Sequence, residues 1–186
     1  MSSEEMKNFT DEKLIEIYKM SKDSRSKKAF DCLYLRYLQP ITNYFFLALD
    51  RDNEKAKDFF HDLFLKILEK PDVFNTKQKF KPWIYRVASN MSKNHFRSKT
   101  VKNKYNEHLK YTETAHYDLD LQEQKLNDHI KNLKSEQRSL IVLRFKLNLS
   151  IKEIAEIYEC PEGTIKSRLF YTIKELSNQY NKMLKI

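Results

Sequence analysis

The stretch from Ser150 to Leu169 has the sequence SIKEIAEIYECPEGTIKSRL. Its Ser150 and Glu153 have the spacing of a capping box, in which each side chain accepts a hydrogen bond from the backbone N–H of the other residue. A short helix over about 151–158 should follow, and Pro161 favours a turn before a second, longer helix. Two helices joined by so short a turn predict a helix-turn-helix, whose second helix fits the major groove of DNA. An αα-hairpin with a polar outer face is the alternative.

The second helix of this motif, predicted over about 162–184, combines an apolar stripe with a polar and basic face. The predicted stripe consists of Ile165, Leu169, Ile173 and Leu176. Side chains outside the stripe can reach base edges and phosphates. These candidates are Thr164, Lys166, Ser167, Arg168, Tyr171 and Lys174.

Composition favours helices throughout the chain. The 186 residues include one glycine, Gly163, and four prolines. A single glycine excludes the glycine-rich phosphate loops of Rossmann and P-loop proteins. So few helix breakers favour long helices over hairpins or α/β units. We therefore predict an all-α fold.

The chain has no sequence feature of a membrane or secreted protein. The longest apolar run, 44–49, is far shorter than a membrane span, and the N-terminus has no signal-peptide pattern. Cys32 and Cys160 lie far apart and form no metal-binding motif, as is usual in a reducing compartment. We expect a cytoplasmic protein with no metal or other cofactor.

The net charge of +9 is concentrated in one segment. Residues 1–76 contain 13 basic and 14 acidic residues, whereas 77–104 contain nine basic residues and no acidic one. Phe80, Trp83 and other aromatic residues alternate with these cations. Cations that neutralise phosphates, beside rings that stack on bases, predict a nucleic-acid-binding surface. A solvated basic helix face is the alternative.

Apolar periodicity predicts four helices before residue 105: a short one after Thr10, and others from near Ser26, over about 52–69 and over about 79–99. The predicted core positions of the second and third helices are Phe30, Leu33, Tyr34, Tyr37, Leu38, Ile41 and Phe45, then Ala56, Phe59, Phe60, Leu63, Phe64, Ile67 and Leu68. Trp83 is also predicted to lie in the core.

A second helical segment follows an acidic stretch. Residues 105–130 contain few aromatic side chains and predict a flexible linker. Helical periodicity returns from Asn132, with a predicted apolar face of Leu133, Leu140, Ile141, Leu143 and Phe145. The predicted organisation is two small helical domains, 1–104 and 131–186, joined by this linker.

Three segments, in this order, resemble the extracytoplasmic-function sigma factors of bacterial RNA polymerase, a subfamily of the sigma-70 family. They are AKDFFHDLF at 56–64, FKPWIYRVASN at 80–90 and GTIKSRL at 163–169. Their order and spacing match the family across nearly the whole chain. The resemblance implies sigma domains two and four, without domains one and three. It also implies a non-enzymatic transcription initiation factor, because the polymerase core performs nucleotidyl transfer.

The resemblance also implies two protein contacts. The third helix would bind the clamp helices of the polymerase β′ subunit through Asp58, His61, Asp62, Phe64 and Leu65. The C-terminal domain would meet the β flap. An anti-sigma factor, or another recruiting protein, is a further implied partner.

Promoter DNA is the third implied partner. Phe74, Asn75 and Lys77 would surround a flipped base of the −10 element. Arg86, Lys93 and Arg97 would contact its phosphates, and Asn90 and Asn94 its base edges. The helix-turn-helix would hold the −35 duplex through the six residues of its second helix named above.

The chain departs from the family pattern at several positions. His61 stands where the family often has Gln, and Lys57 where it often has Glu. Glu159 occupies a turn position that is often glycine, so a left-handed backbone there would be strained. After Leu169 the usual Arg-rich positions are replaced by 170–173, with the sequence FYTI. Fewer cations predict a weaker −35 contact and more reliance on the −10 domain or on a recruiting protein.

Two other functions fit parts of the sequence. A helix-turn-helix regulator would bind duplex DNA without polymerase, although the strongest basic segment then lies in a domain that needs no such charge. A metal-dependent nuclease would use Asp58, His61 and Asp62, whose i, i+3, i+4 spacing puts three ligands on one helical face.

Overall fold

The computed structural model describes residues 3–20, 23–105, 129–130 and 132–183, and every regular element within these ranges is helical. The prediction of an all-α fold is confirmed. The α-helices are α1 (Ser3–Met6), α2 (Asp11–Met20), α3 (Ser24–Ala48), α4 (Asn53–Glu69), α5 (Phe80–Tyr105), α6 (Ser135–Ile141), α7 (Ile151–Tyr158) and α8 (Glu162–Met183). A 3₁₀ turn, Pro71–Val73, follows α4, and a π-helical turn, Val142–Lys146, follows α6. The predicted linker, 105–130, falls almost entirely outside the described residues.

The long helix α3 is the centre of the N-terminal helices, α1–α5, with α2 and α4 packed against it. The Asp23 side chain caps its N-terminus by accepting hydrogen bonds from the backbone N–H groups of Arg25 and Ser26, both at 3.0 Å. The Asp11 carboxylate of α2 accepts from the Arg36 guanidinium and from the Tyr37 hydroxyl. Burial and this acceptor raise the pKa of Tyr37. The two helices are therefore joined by polar contacts as well as by packing.

Aromatic rings fill the core between these helices. Tyr34 of α3 packs edge-on against Phe60 and Phe64 of α4, with centroids 5.0 and 5.2 Å apart. Trp83 of α5 is buried, as predicted. The prediction that Leu38 and Leu68 belong to the core is wrong, because both leucines lie at the edges of their helices and are substantially exposed.

Among the C-terminal helices, α6–α8, the last two form the predicted helix-turn-helix. Ser150 Oγ accepts from Glu153 N at 3.2 Å, and Ser150 N donates to Glu153 Oε2 at 2.9 Å, so the capping box is confirmed. Helix α7 has the predicted bounds, and Glu159 after it adopts the left-handed conformation, with φ 50° and ψ 45°. The left-handed backbone of this turn is therefore present with glutamate, and not glycine, at the position.

Two predicted core positions of the C-terminal helices are wrong. Phe145 is half-exposed, because the π-helical turn over Val142–Lys146 rotates the chain away from the periodicity of α6. Ile173 is exposed and Thr172 is buried in its place. The buried stripe of α8 thus takes a three-residue step after Leu169, where the sequence favoured a four-residue step.

The two groups of helices are in contact. Helix α5 packs against both α6 and α7, and α3 also contacts α6. None of the helices within the described ranges is long and apolar enough to cross a membrane.

Candidate nucleic-acid and protein interfaces

One face of α4 is polar and exposed. Asp58, His61, Asp62 and Leu65 have the spacing i, i+3, i+4, i+7, which places them on one side of the helix. All four are exposed, including Leu65 at 50%. An exposed leucine one turn beyond two carboxylates can combine apolar contact with ion pairing, so this face, the α4 face, suits a basic protein partner.

The α4 face does not include Phe64. Its side chain is 2% exposed and packs against Phe30 and Phe60 as well as Tyr34. The prediction that Phe64 packs against a partner is corrected, because this residue is one position off the exposed face. Phe64 instead fixes α4 on the core.

The metal-site alternative for Asp58, His61 and Asp62 has no geometric support. In the ranges that the structure describes, no group of three or more His, Cys, Asp or Glu side chains is arranged to hold a metal ion. The exposed acids of α4 therefore form a charged surface rather than a coordination site.

Helix α5 carries the predicted phosphate and base contacts on one face. Arg86, Asn90, Lys93 and Arg97 follow the spacing i, i+4, i+7, i+11 within a continuous helix. Asn90, Lys93, Asn94 and Arg97 are exposed, and Arg86 is partly buried. Alternating amide and cationic groups can hydrogen-bond both phosphates and base edges. The side chains of Lys99, Lys102 and Lys104 lie outside the described residues.

The loop before α5 holds two of its three predicted DNA contacts at the surface. Asn75 and Lys77 are exposed, and Asn75 Oδ1 accepts from Lys77 N at 3.0 Å. Phe74 is fully buried, with ring centroids 5.2 Å from Phe80 and 5.1 Å from Trp83. The prediction that Phe74 surrounds a flipped base is therefore corrected. It anchors the loop, and only the polar residues after it are available to a ligand.

The recognition helix α8 presents its predicted contacts to solvent. Lys166, Ser167, Arg168, Tyr171 and Lys174 are exposed, and Thr164 is partly buried. Ile165, Leu169 and Thr172 are buried on the opposite side of the helix. A cation pair next to Ser and Thr hydroxyls suits a duplex groove.

Unexpectedly, carboxylates of the C-terminal helices pair with the cations in and before α5. Lys79 Nζ lies 3.2 Å from Glu156, and Lys81 Nζ lies 2.7 Å from Glu153, both on α7. The guanidinium of Arg86 pairs with Glu159 in the turn of the helix-turn-helix.

Lys93, farther along α5, pairs with Glu136 at the start of α6. None of these four acids was predicted from the sequence to be functional. The one available signal was Glu159, an acidic residue at a turn position that favours glycine.

These contacts lower the pKa of two of the acids, Glu153 and Glu136. The Lys81 ammonium and the hydrogen bonds from Ser150 lower the pKa of Glu153 to about 2. The Lys93 ammonium likewise holds the pKa of Glu136 below its ordinary value. Both carboxyl groups are therefore ionised at neutral pH.

Polar contacts also lie at the centre of the boundary between the two groups of helices. Tyr158 of α7 donates to Ser139 Oγ at 3.0 Å, and the hydroxyls of Tyr44 and Ser89 lie 2.7 and 3.1 Å from the same atom. This serine therefore connects α6 with α3, α5 and α7.

Arg138, beside Ser139, is the buried cation of this boundary. Its Nη1 donates to Asp50 at 2.5 Å and to the Ala48 carbonyl at 3.3 Å. Its guanidinium lies 4.5 Å from the Phe96 ring centroid. One α6 side chain thus holds the end of α3 and the middle of α5 together.

Comparison with known proteins connects both groups of helices with one family. The description "Sigma-70 region 2" matches residues 33–101, and "Sigma-70, region 4" matches residues 130–178. The RNA polymerase sigma-E factor of Haemophilus influenzae, described as an ECF factor, is 26% identical over 192 residues. That match covers 95% of this chain and 98% of the relative. The RNA polymerase sigma-H factor of Pseudomonas aeruginosa is also 26% identical, over 159 residues, with 77% and 82% covered.

Solved structures give the same connection. The sigma factor RpoE from Bartonella quintana, crystallised with the anti-sigma factor NepR, matches with a TM-score of 0.63 and 25% identity. The match covers 83% of this chain and 98% of that one. CnrH, solved in complex with the cytosolic domain of CnrY, shares the fold with a TM-score of 0.65 at 16% identity, over 92% and 97% of the two chains.

Proposed function

Because the chain belongs to the extracytoplasmic-function subfamily of the sigma-70 family, we propose that the surfaces described above each carry out one step of transcription initiation. The protein is a transcription initiation factor that binds core RNA polymerase and directs it to promoters. The matched region 2 contains α4 and most of α3 and α5, and the matched region 4 contains α6, α7 and most of α8. The proposals below assign individual side chains to the partners that they contact.

The α4 face binds the clamp helices of the polymerase β′ subunit. Asp58 and Asp62 pair with basic groups there, and Leu65 adds an apolar contact one turn farther along the helix. The support is the coincidence of two carboxylates and a half-exposed leucine on one helix face. Region 4 contacts the β flap.

The α5 face captures the −10 element. Asn75 and Lys77 border the extruded base, Arg86, Lys93 and Arg97 contact phosphates, and Asn90 and Asn94 contact base edges. This single face, with amide and cationic groups at helical spacing, is the observation that carries the proposal. Binding of unstacked bases offsets an unstacking cost of a few kcal/mol per step, so strand separation needs no catalytic group in this chain.

Region 4 holds the −35 element as a duplex. Lys166 and Arg168 are its strongest contacts, with Thr164, Ser167, Tyr171 and Lys174 at the edges of the same surface. The exposed position of α8 supports this assignment. Polymerase core performs nucleotidyl transfer, and the factor acts in the cytoplasm, where that enzyme works.

An anti-sigma factor is a further proposed partner. The neighbour at 25% identity was solved with the anti-sigma factor NepR. We therefore expect a protein that sequesters this chain until a signal releases it.

Run-off transcription with purified core polymerase and a promoter library tests the assignment. Wild type should initiate at a defined subset of promoters. Asn90→Ala should lose most of this initiation while still binding the polymerase, because the change removes a base contact on α5. Gln39→Ala, an exposed amide on α3, is the matched control and should leave initiation intact. A wild-type protein that binds duplex DNA but never stimulates the core would favour the regulator alternative.

A further inference from the structure

The N-terminal part of the basic surface is already occupied within the chain itself. Four cations, from Lys79 to Lys93, pair with four glutamates of region 4. They extend over about 21 Å of helix at 1.5 Å per residue. Two of the three proposed phosphate contacts, Arg86 and Lys93, are among them. The carboxylates therefore take the positions that phosphates of the −10 strand would take.

The other proposed binding surfaces are not covered in the same way. The α4 face is exposed, and so are Lys166 and Arg168 on the recognition helix. The contact between regions 2 and 4 thus leaves the polymerase and −35 surfaces open while it occupies part of the −10 surface, at Arg86 and Lys93.

Two of the four non-glycine residues with positive φ in the described structure are acids of this contact. Asp50 and Glu159 both have positive φ, of 60° and 50°, although neither is glycine. The carboxylate of Asp50 pairs with Arg138, and that of Glu159 pairs with Arg86. A left-handed non-glycine residue is disfavoured, so each acid is held in a strained conformation where its side chain joins the two regions.

We propose that the acidic residues of region 4 compete with the −10 strand for α5, so that the factor must separate regions 2 and 4 before it can bind −10 DNA. This proposal rests on the function assigned above to α5. The competing residues are Glu136, Glu153, Glu156 and Glu159. Each exposed ion pair is individually weak, so the closed arrangement can be displaced by a polymerase or DNA partner that binds the open form.

The groups beneath the ion pairs allow reversible opening. Ser139 contacts two hydroxyl groups across the boundary, those of Tyr44 and Ser89, and each of these groups can hydrogen-bond to water once the regions separate.

The test compares the full chain with a triple variant, Glu153→Gln, Glu156→Gln and Glu159→Gln. Glutamine keeps the capping box at Glu153 and removes only the charges. The matched control, Asp31→Asn, Glu54→Gln and Glu69→Gln, changes the net charge equally at exposed acids of α3 and α4. Affinity is measured by fluorescence anisotropy with a labelled single-stranded DNA of about 12 nucleotides and mixed sequence.

The triple variant should bind this DNA at least about fivefold more tightly than the control variant. The slope of log K against log salt should also become steeper in the triple variant, by about 0.7 per freed cation. In wild type each cation trades an intramolecular carboxylate for a DNA phosphate, whereas in the variant it binds the phosphate from the unpaired state. Equal affinities and equal salt slopes for the two variants would overturn the proposal.

Distance measurement gives an independent readout. Spin labels at Leu35→Cys and Lys152→Cys, both exposed positions, report the separation of the regions in a background with Cys32→Ser and Cys160→Ser. Wild type should give a single short distance, and the triple variant a longer and broader distribution. An unchanged distribution in the triple variant would refute competition by these acids.

The same proteins are assayed for transcription with core polymerase. If wild type does not support transcription in that assay, the proposed function itself is refuted. If transcription is normal and the two triple variants do not differ, only the proposed competition is refuted.

Discussion

The left-handed residue Glu159 links backbone strain to the contact between regions. Replacing it with glycine relieves a conformational cost of about 1 kcal/mol and removes the ion pair with Arg86. We expect Glu159→Gly to raise the free energy of unfolding by about 0.5–1 kcal/mol, as measured by thermal denaturation, and also to strengthen binding of single-stranded DNA.

Asn148→Gly is the control for this change. Asn148 also has a positive φ, of 52°, but it lies after the π-helical turn and its side chain is exposed. Its replacement should relieve less strain, because Asn tolerates this conformation, and should leave DNA binding unchanged. Tighter DNA binding in both glycine variants would show that turn flexibility, and not the ion pair, controls access to α5.

Two neighbouring residues of α4 should respond differently to truncation. Leu65 is 50% exposed and Phe64 is 2% exposed. Leu65→Ala should weaken binding to core polymerase about tenfold, with little loss of stability, because its contact surface is buried only in the complex. Phe64→Ala should lower the free energy of unfolding by about 3–5 kcal/mol through loss of core packing. Titration of labelled core polymerase and chemical denaturation separate the two effects.

Leu35→Ala, an exposed leucine on α3, controls for the Leu65 change. It should alter neither polymerase binding nor stability. If Leu35→Ala weakened polymerase binding as much as Leu65→Ala, the polymerase contact would have to extend beyond the α4 face.

At the scale of elements, α7 gives the chain a specific response to acid. The ordinary pKa of a glutamate is 4.5, and that of Glu153 is lowered to about 2, chiefly by Lys81. A lowered pKa stabilises the folded state fully above about pH 4.5, and this stabilisation is lost as the pH falls towards 2. Wild type should therefore lose more unfolding free energy between about pH 5 and pH 3 than Glu153→Gln, which keeps the capping box but does not titrate.

Urea denaturation over that pH range checks this expectation. Glu54→Gln is the control, because the partner of Glu54 is Lys57 on the same exposed helix surface. Parallel pH profiles for wild type and Glu153→Gln would contradict the assignment of the acid response to this residue.

The start of α8 offers a second test at this scale. A Cβ at Gly163 would meet no heavy atom within 4 Å in the described structure. Gly163→Ala should thus leave the fold intact and stabilise α8 by a few tenths to about 1 kcal/mol. If the glycine is there to let the backbone approach DNA, the same change should weaken binding to −35 duplexes. Gel-shift titration measures the change in DNA affinity and thermal denaturation measures the change in stability, so together they distinguish a role in DNA binding from a purely structural effect.

The sequence predicted elements where the signal was local. The capping box at Ser150, helix α7 and the all-α fold were predicted correctly, because caps and apolar periodicity act within a few residues. Phe64 was predicted both as a core residue and as a partner contact, and Phe74 as a base contact, yet both side chains are buried. A family pattern marks which helix meets a partner but not which side chain is one position off its face. Phe145 was misplaced because a π-helical turn has no periodic signature.

The pairing between α5 and region 4 lay beyond sequence reasoning. Lys79 and Glu156 are 77 positions apart, and nothing local in either segment indicates that they meet. Charge counting identified the basic segment but indicated no acidic partner for it within the chain. The common role of the acids of region 4 becomes visible only when the two regions are placed together.

For the whole molecule, this pairing predicts an unusual response to salt. The screening length is about 10 Å at 0.1 M and shortens as salt is added, so exposed ion pairs between the regions weaken. The radius of gyration of wild type, measured by small-angle X-ray scattering, should increase between about 0.05 and 0.5 M NaCl. The triple Gln variant should already be expanded at low salt and change little, whereas the control variant should follow wild type.

Salt weakens DNA binding as well, so the two effects act in opposite directions on the wild-type protein. Added salt opens the factor and at the same time screens the cations that it exposes. Wild type should therefore lose affinity for single-stranded DNA more slowly than the triple Gln variant over this range. A wild-type radius of gyration that stays constant, in a protein that still supports transcription, would mean that apolar contacts beneath the ion pairs hold the regions together without the acids.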